Sequence, residues 1–169
     1  MAETMRIHRA LAQAGVASRR TCEAMVAEGR VTVNGVVATV GQQVGPRDVV
    51  AVDGREVHAE SLRVYVLNKK AGVVSTVSDP EGRPTVIDGM PDSVRLYPVG
   101  RLDIDTTGAL LITNDGELAN RLMHPRAKAP KIYEALVEGR VSADTIRRLR
   151  SGIELEDGMT LPAKAEVMD

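Results

Sequence analysis

An α+β fold is predicted for this 169-residue chain: a small two-helix and hairpin module, then a largely antiparallel mixed sheet. Three observations predict it. Short apolar runs and short helical patterns mix without the regular strand–helix–strand alternation of a parallel sheet. The dipeptides Asn34-Gly35 and Asp53-Gly54 join neighbouring apolar runs, as tight antiparallel hairpins require. After Ser61 the texture changes to longer, more buried strand patterns, which places a module boundary near residue 60 and divides the chain into 1–60 and 61–169.

In chain order, Ile7 to Ala14 has the apolar spacing of a short helix, stopped by Gly15. Ser18 is a good N-cap for a second helix, Arg19 to Glu28, with Gly29 at its end. Val31 to Val33 and Val36-Val37 make a hairpin across Asn34-Gly35. Val49 to Val52 and Glu56-Val57 make another across Asp53-Gly54. Val64 to Leu67 reads as a buried strand, left through the basic turn Asn68 to Gly72, and Val73 to Val77 as a further strand. Asp79 to Pro84 is a loop by its turn residues. Leu96 to Val99 is an apolar strand. A charged, threonine-rich turn then leads into the buried strand Ala109 to Thr113, closed by Asn114-Asp115-Gly116 as a hairpin-type turn. A helix from about Gly116 to Met123, a strand from Lys131 to Val137 and a Ser142-capped helix from Ala143 to Arg150 complete the pattern, with short strands and turns to Asp169.

Composition excludes several classes. Net charge is -1, yet Arg6, Arg9, Arg19, Arg20 and Arg30 crowd the first thirty residues, and phosphate is bound by a patch rather than by a total. No apolar run approaches the roughly 18 residues that span a bilayer, and no signal segment opens the chain. The single cysteine, Cys22, forbids an internal disulfide; it fits a reducing, cytoplasmic setting and reads as a buried helix residue. His8, His58, His124 and Cys22 lack metal-ligand spacing, and no glycine-rich phosphate loop is present. No metal and no cofactor are expected.

The segment Gly100-Arg101-Leu102-Asp103-Ile104-Asp105-Thr106-Thr107-Gly108 stands out. It sets charged residues between strand-like apolar runs, where a buried carboxylate without partners would be costly. An adjacent arginine would keep Asp103 ionised, suiting a nucleophile or base; a turn-stabilising carboxylate is the plainer alternative. An acid pair of Asp103 with Asp105 for hydrolysis is a weaker one, because the threonine turn breaks the alternation that would align them.

The ordered motifs G-R-L-D-x-D-T-T-G, T-N-D-G-E-L-A-N-R-L-M-H-P (Thr113 to Pro125) and K-x-Y (Lys131 to Tyr133) strongly resemble ribosomal-RNA pseudouridine synthases. The branch is that of the small-subunit enzyme and its large-subunit relatives, the second motif looking closest to the large-subunit group. Residues from Arg6 to about Val57 resemble the ribosomal-protein-S-four-type RNA-binding module that precedes the catalytic domain there. The resemblance implies isomerisation of uridine to pseudouridine in ribosomal RNA, free or in a pre-ribosomal particle, by a monomer without cofactor, metal or membrane. It implies Asp103 as the essential catalytic residue, Tyr133 packing on the target base, and Arg101 helping to extrude it. Arg6, Arg9, Ser18, Arg19 and Arg20 would hold RNA phosphates at a helix start, and Lys131 could reach the RNA backbone. Lys70 stands where the family usually has proline, and Ala109 where it has a larger apolar residue. Family domains also continue past Asp169, through a basic motif whose arginine pairs with the aspartate. The resemblance therefore implies a domain incomplete at its C-terminus, and leaves an RNA-binding fragment without activity as the alternative.

Overall fold

The computed structural model describes residues 4–91, 93–127 and 129–168. Strand β1 (Met5–Arg6) runs directly into helix α1 (Ile7–Gln13), and α2 (Arg19–Ala27) follows after a turn at Gly15. Ile7 and Leu11 lie four apart on α1, as do Cys22 and Val26 on α2. That spacing stacks each pair on one helix face, and all four are buried. The Ser18 hydroxyl accepts a hydrogen bond from Thr21 N at 3.2 Å, so α2 has the cap its sequence predicts.

A four-stranded antiparallel sheet packs against these helices. Its strands are β2 (Val31–Val33), β3 (Val36–Val37), β5 (Val50–Val52) and β6 (Arg55–Glu56), ordered β3-β2-β5-β6; β4 (Gln43–Val44) pairs with β1 instead. Both hairpin turns take left-handed backbone: Asn34 at φ 51° with Gly35 at 82°, and Asp53 at 48° with Gly54 at 79°. This is the conformation for which Asn-Gly and Asp-Gly are selected. Val31, Val33, Val50 and Val52 turn inward to join the helix residues in one apolar core.

The second core belongs to β7 (Val64–Lys69), β8 (Tyr97–Val99) and β9 (Gly108–Thr113), antiparallel in the order β7-β9-β8. Leu110 and Ile112 of β9 are buried with Val86 and Leu96, and Tyr65, Leu67 and Leu102 pack around them. Val64 and Val66, on the opposite face of β7, are exposed. Helix α3 (Gly116–Met123) follows β9. All of this lies in one unit, Met1–Ala129. Among the described residues, three polar contacts link its two cores. Glu60 N donates to Gln13 O, the Glu60 carboxylate accepts from Arg95 N at 3.2 Å, and Arg9 pairs with Glu117 at 3.2 Å.

The other unit, Pro130–Asp169, contains α4 (Ala143–Ser151), capped by Ser142 as expected, and the hairpin of β10 (Glu154–Leu155) with β11 (Gly158–Met159).

Three local expectations are corrected. Val73 to Val77 forms no strand: Val74 makes a lone parallel bridge to Thr85, and the segment otherwise turns. Asn114-Asp115-Gly116 is not a hairpin turn but a strand-to-helix joint. Asn114 is buried and ties the end of β9 to the chain entering β7, accepting from Arg63 N and donating to Ser61 O. Asp115 caps α3 through the amides of Glu117 and Leu118. Lys131 to Val137 is not a strand and is exposed throughout. Alternation alone does not make a strand; the backbone needs a ladder neighbour, and in its unit β10 and β11 pair with each other.

Candidate active site and RNA-binding face

The segment from Gly100 to Gly108 is a loop joining β8 to β9. Two glycines bracket it, at φ +84° and +142°, where a β-carbon would be strained. Asp103 is exposed, so the cost of a buried carboxylate does not arise. Arg101 is exposed as well, and among the described residues no ion pair joins it to Asp103. The sequence argument from a nearby guanidinium is corrected accordingly: both side chains are exposed, and the structure pairs neither with the other.

The loop is instead held from beneath. Lys69, the last residue of β7, is 1% exposed, and its ammonium lies within hydrogen-bond distance of four carbonyls. These are Asp103 O and Thr106 O at 2.8 Å, Ile104 O at 3.0 Å and Lys70 O at 3.1 Å. A buried cation is tolerated only when its donors are satisfied, and here backbone dipoles satisfy them. Ser75 reaches the same loop: its hydroxyl donates to Leu102 O at 2.7 Å and accepts from Leu102 N at 3.2 Å. Gly72 N donates to Ile104 O, and Gly100 N reaches Met123 Sδ at 3.1 Å. The carboxylate of Asp103 thus rises from a braced backbone into solvent.

Sequence reasoning missed Lys69 and Ser75 by assigning them to a basic turn and a strand. A usable signal was present. Tyr65, Leu67 and Lys69 alternate on one strand face, so the two apolar residues place the lysine on the inward side.

Before β8, residues 79–83 form a locked turn. Asp79 accepts from the amides of Glu81 and Arg83 and from the Arg83 guanidinium, at 2.8 Å for the shortest contact. These bonds hold its carboxyl down at about 2, with Arg83 the largest cause. Tyr97 stands beside α3 with Arg95 over its ring, 5.8 Å from the centroid. Burial pushes its hydroxyl up, with Asp115 adding to the effect. Burial likewise raises the Cys22 thiol, in keeping with a core role.

Of the four arginines expected to contact RNA, Arg6, Arg9 and Arg19 line an open groove of about 390 Å³ with His8, Gln43 and Glu117. Arg6 Nη1 donates to Gly41 O, Arg9 pairs with Glu117, and Arg19 lies 3.5 Å from His8 Nε2. Ser18 is engaged in the α2 cap, and Arg20 is exposed one residue inside it. Glu117 is the unexpected member, an acid set among the bases. In the other unit, Tyr133 is 65% exposed and Lys131 is exposed. Among the described residues no cluster of three or more His, Cys, Asp or Glu could hold a metal, and no helix is long and apolar enough to cross a membrane.

The chain thus carries an exposed carboxylate on a braced loop and, on its two-helix module, an arginine-lined groove. The RNA pseudouridylate synthase family model matches residues 63–166 and the S4 domain model residues 5–50; the chain belongs to the RNA pseudouridine synthase family. It is 51% identical over 166 residues to ribosomal large subunit pseudouridine synthase B of Pseudomonas aeruginosa, covering 94% of this chain and 42% of that protein. The protein of that name from Bacillus subtilis is 46% identical, covering 96% and 68%. An uncharacterized RNA pseudouridine synthase of Aquifex aeolicus is 48% identical, covering 97% and 68%. A crystal structure of a pseudouridylate synthase shares the fold at a TM-score of 0.55 and 24% identity, over 98% of this chain and 73% of that one.

Proposed function

We propose that this chain converts uridine to pseudouridine at a site in large-subunit ribosomal RNA, with Asp103 acting on a nucleotide turned out of the RNA. The observation that carries the reading is the Asp103 loop itself, an exposed carboxylate whose backbone is pinned by Lys69. Isomerisation breaks the bond from sugar to ring nitrogen and remakes it to a ring carbon; the carbon loses a proton and the nitrogen gains one. Such chemistry needs a fixed carboxylate acting on sugar or base, either as nucleophile or as base. The base must leave its stack first, at a cost of a few kcal/mol that protein contacts offset. Arg101, two residues from Asp103 and exposed, helps to extrude the nucleotide, and Tyr133 stacks on the base. Arg6, Arg9, Arg19 and Arg20, with the Ser18 helix start, hold phosphates along the groove. One chain acts without a cofactor.

A binding-only reading has an observation of its own: residues 131–137, Tyr133 among them, are exposed and carry no strand. One experiment separates the two. The chain and its Asp103→Asn variant are incubated with an unmodified large-subunit rRNA transcript, and pseudouridine is mapped chemically. New pseudouridine that disappears with Asp103→Asn supports the enzyme. RNA retention without product in either sample supports the binding-only reading, and an active Asp103→Asn rules out the role given to Asp103.

A further inference from the structure

The segment that precedes β8 packs with Leu102 around one apolar cluster, and among the described residues one of its side chains, Ser75, hydrogen-bonds to the candidate active-site loop. Val74 is fixed from both sides, its amide donating to Pro84 O and its carbonyl accepting from Val86 N. Residues 79–83 are closed by the Asp79–Arg83 contacts, so the returning strand of this loop cannot drift. Ser75 follows Val74 directly, and its hydroxyl makes both bonds that Leu102 can offer, to its carbonyl at 2.7 Å and its amide at 3.2 Å. Leu102 immediately precedes Asp103. Lys69 holds the carbonyls of residues 103, 104 and 106, leaving Leu102 as the point where the near side of the loop is set.

We propose that Ser75 is a positioning residue for Asp103: its hydroxyl fixes the φ and ψ of Leu102 and so aims the carboxylate one residue on. The inference rests on the catalytic reading of Asp103. It assigns the loop 73–86 a task the isomerisation itself does not reveal, that of a platform locked to the aspartate. A serine suits this task because one hydroxyl both donates and accepts. Alanine removes both bonds and almost no volume, and threonine keeps both.

The test uses the whole chain with the rRNA transcript. For Ser75→Ala the single-turnover rate falls roughly tenfold to a hundredfold, the scale of a catalytic group displaced by a fraction of an ångström to one ångström. RNA affinity stays within about twofold of the parent, because the loss lies in the chemical step. Ser75→Thr restores most of the rate. Amide exchange at Leu102 quickens in Ser75→Ala and not in Ser75→Thr. A parental rate in Ser75→Ala overturns the proposal, as does an equal loss of rate and RNA affinity, which would mark a merely structural role. Asp103→Asn, run alongside, keeps the two ideas apart. If it is inactive while Ser75→Ala runs at full speed, only the role of Ser75 falls; if it is active, the reading of Asp103 falls. Should the parent itself form no product, exchange at Leu102 decides, and unchanged protection in Ser75→Ala overturns the proposal.

Discussion

Replacing Lys69 by methionine is the sharpest perturbation of the site's foundation, because the stem is nearly conserved and the charge is lost. An ammonium has three hydrogens, shared here among four carbonyls. Not all four would be stranded by its removal. Asp103 O still accepts from Thr106 N, and Ile104 O from Gly72 N. Lys70 is exposed, so its carbonyl finds water. Thr106 O, 2.8 Å from the lost nitrogen, is the carbonyl left without a donor among the described residues. An orphaned, partly buried carbonyl costs about 1–3 kcal/mol, and the charge-assisted bonds lost elsewhere, whose carbonyls keep another donor or water, add about 2 kcal/mol together. The expected destabilisation is about 3–5 kcal/mol, a large part of a typical domain's stability. With a urea slope of about 2 kcal/mol per molar, the unfolding midpoint falls by roughly 1.5–2.5 M. Far-ultraviolet circular dichroism reads this directly in a chain without tryptophan. Lys70→Met, one residue on and exposed, is the control and stays within about 0.5 kcal/mol. A Lys69→Met midpoint within 0.5 M of the parent would refute the reasoning, because water would then serve the carbonyls as well as the ammonium does.

Two further outcomes follow from the same contacts. The carboxyl of Asp79 sits at about 2 when folded against an ordinary 3.8, so its stabilisation is complete above the ordinary value and fades as pH falls toward 2; amide exchange at Arg83 should quicken over that interval, and Asp79→Asn should abolish the pH dependence while loosening the turn at neutral pH. Ser18→Ala removes the cap of α2 and is expected to cost about 1 kcal/mol of stability, read as a urea midpoint shift, whereas Ser18→Asp should restore most of it.

The elements set by local chemistry were the legible ones. Ser18 and Ser142 cap their helices because a hydroxyl beside an open amide has one good place to go. Asn34-Gly35 and Asp53-Gly54 turn the hairpins because few other pairs tolerate their backbone. What the sequence concealed depended on partners distant along the chain. Lys131 to Val137 has strand composition but no ladder neighbour in its unit, and Val73 to Val77 spends its amides on a turn and one bridge. For Asp103 the sequence argument rested on burial and a nearby guanidinium, whereas the structure leaves the side chain exposed and pins the backbone of its loop from below. The bracing by Lys69 and Ser75 spans 27 to 37 residues, a separation at which no local pattern speaks. The pairing of Arg9 with Glu117 joins positions 108 residues apart and is equally silent in sequence.

The polar links between the two cores of the first unit carry a consequence for how the protein meets its surroundings. An exposed pair such as Arg9–Glu117 is weakened as ionic strength rises and the screening length shrinks toward a few ångströms. Arg9 has two suitors of the same sign, the Glu117 carboxylate and any phosphate entering the groove. The Arg9–Glu117 pair joins the first helix of the first core to the helix that follows β9. The two cores draw on separate sets of side chains, so screening this exposed pair removes no apolar contact from either.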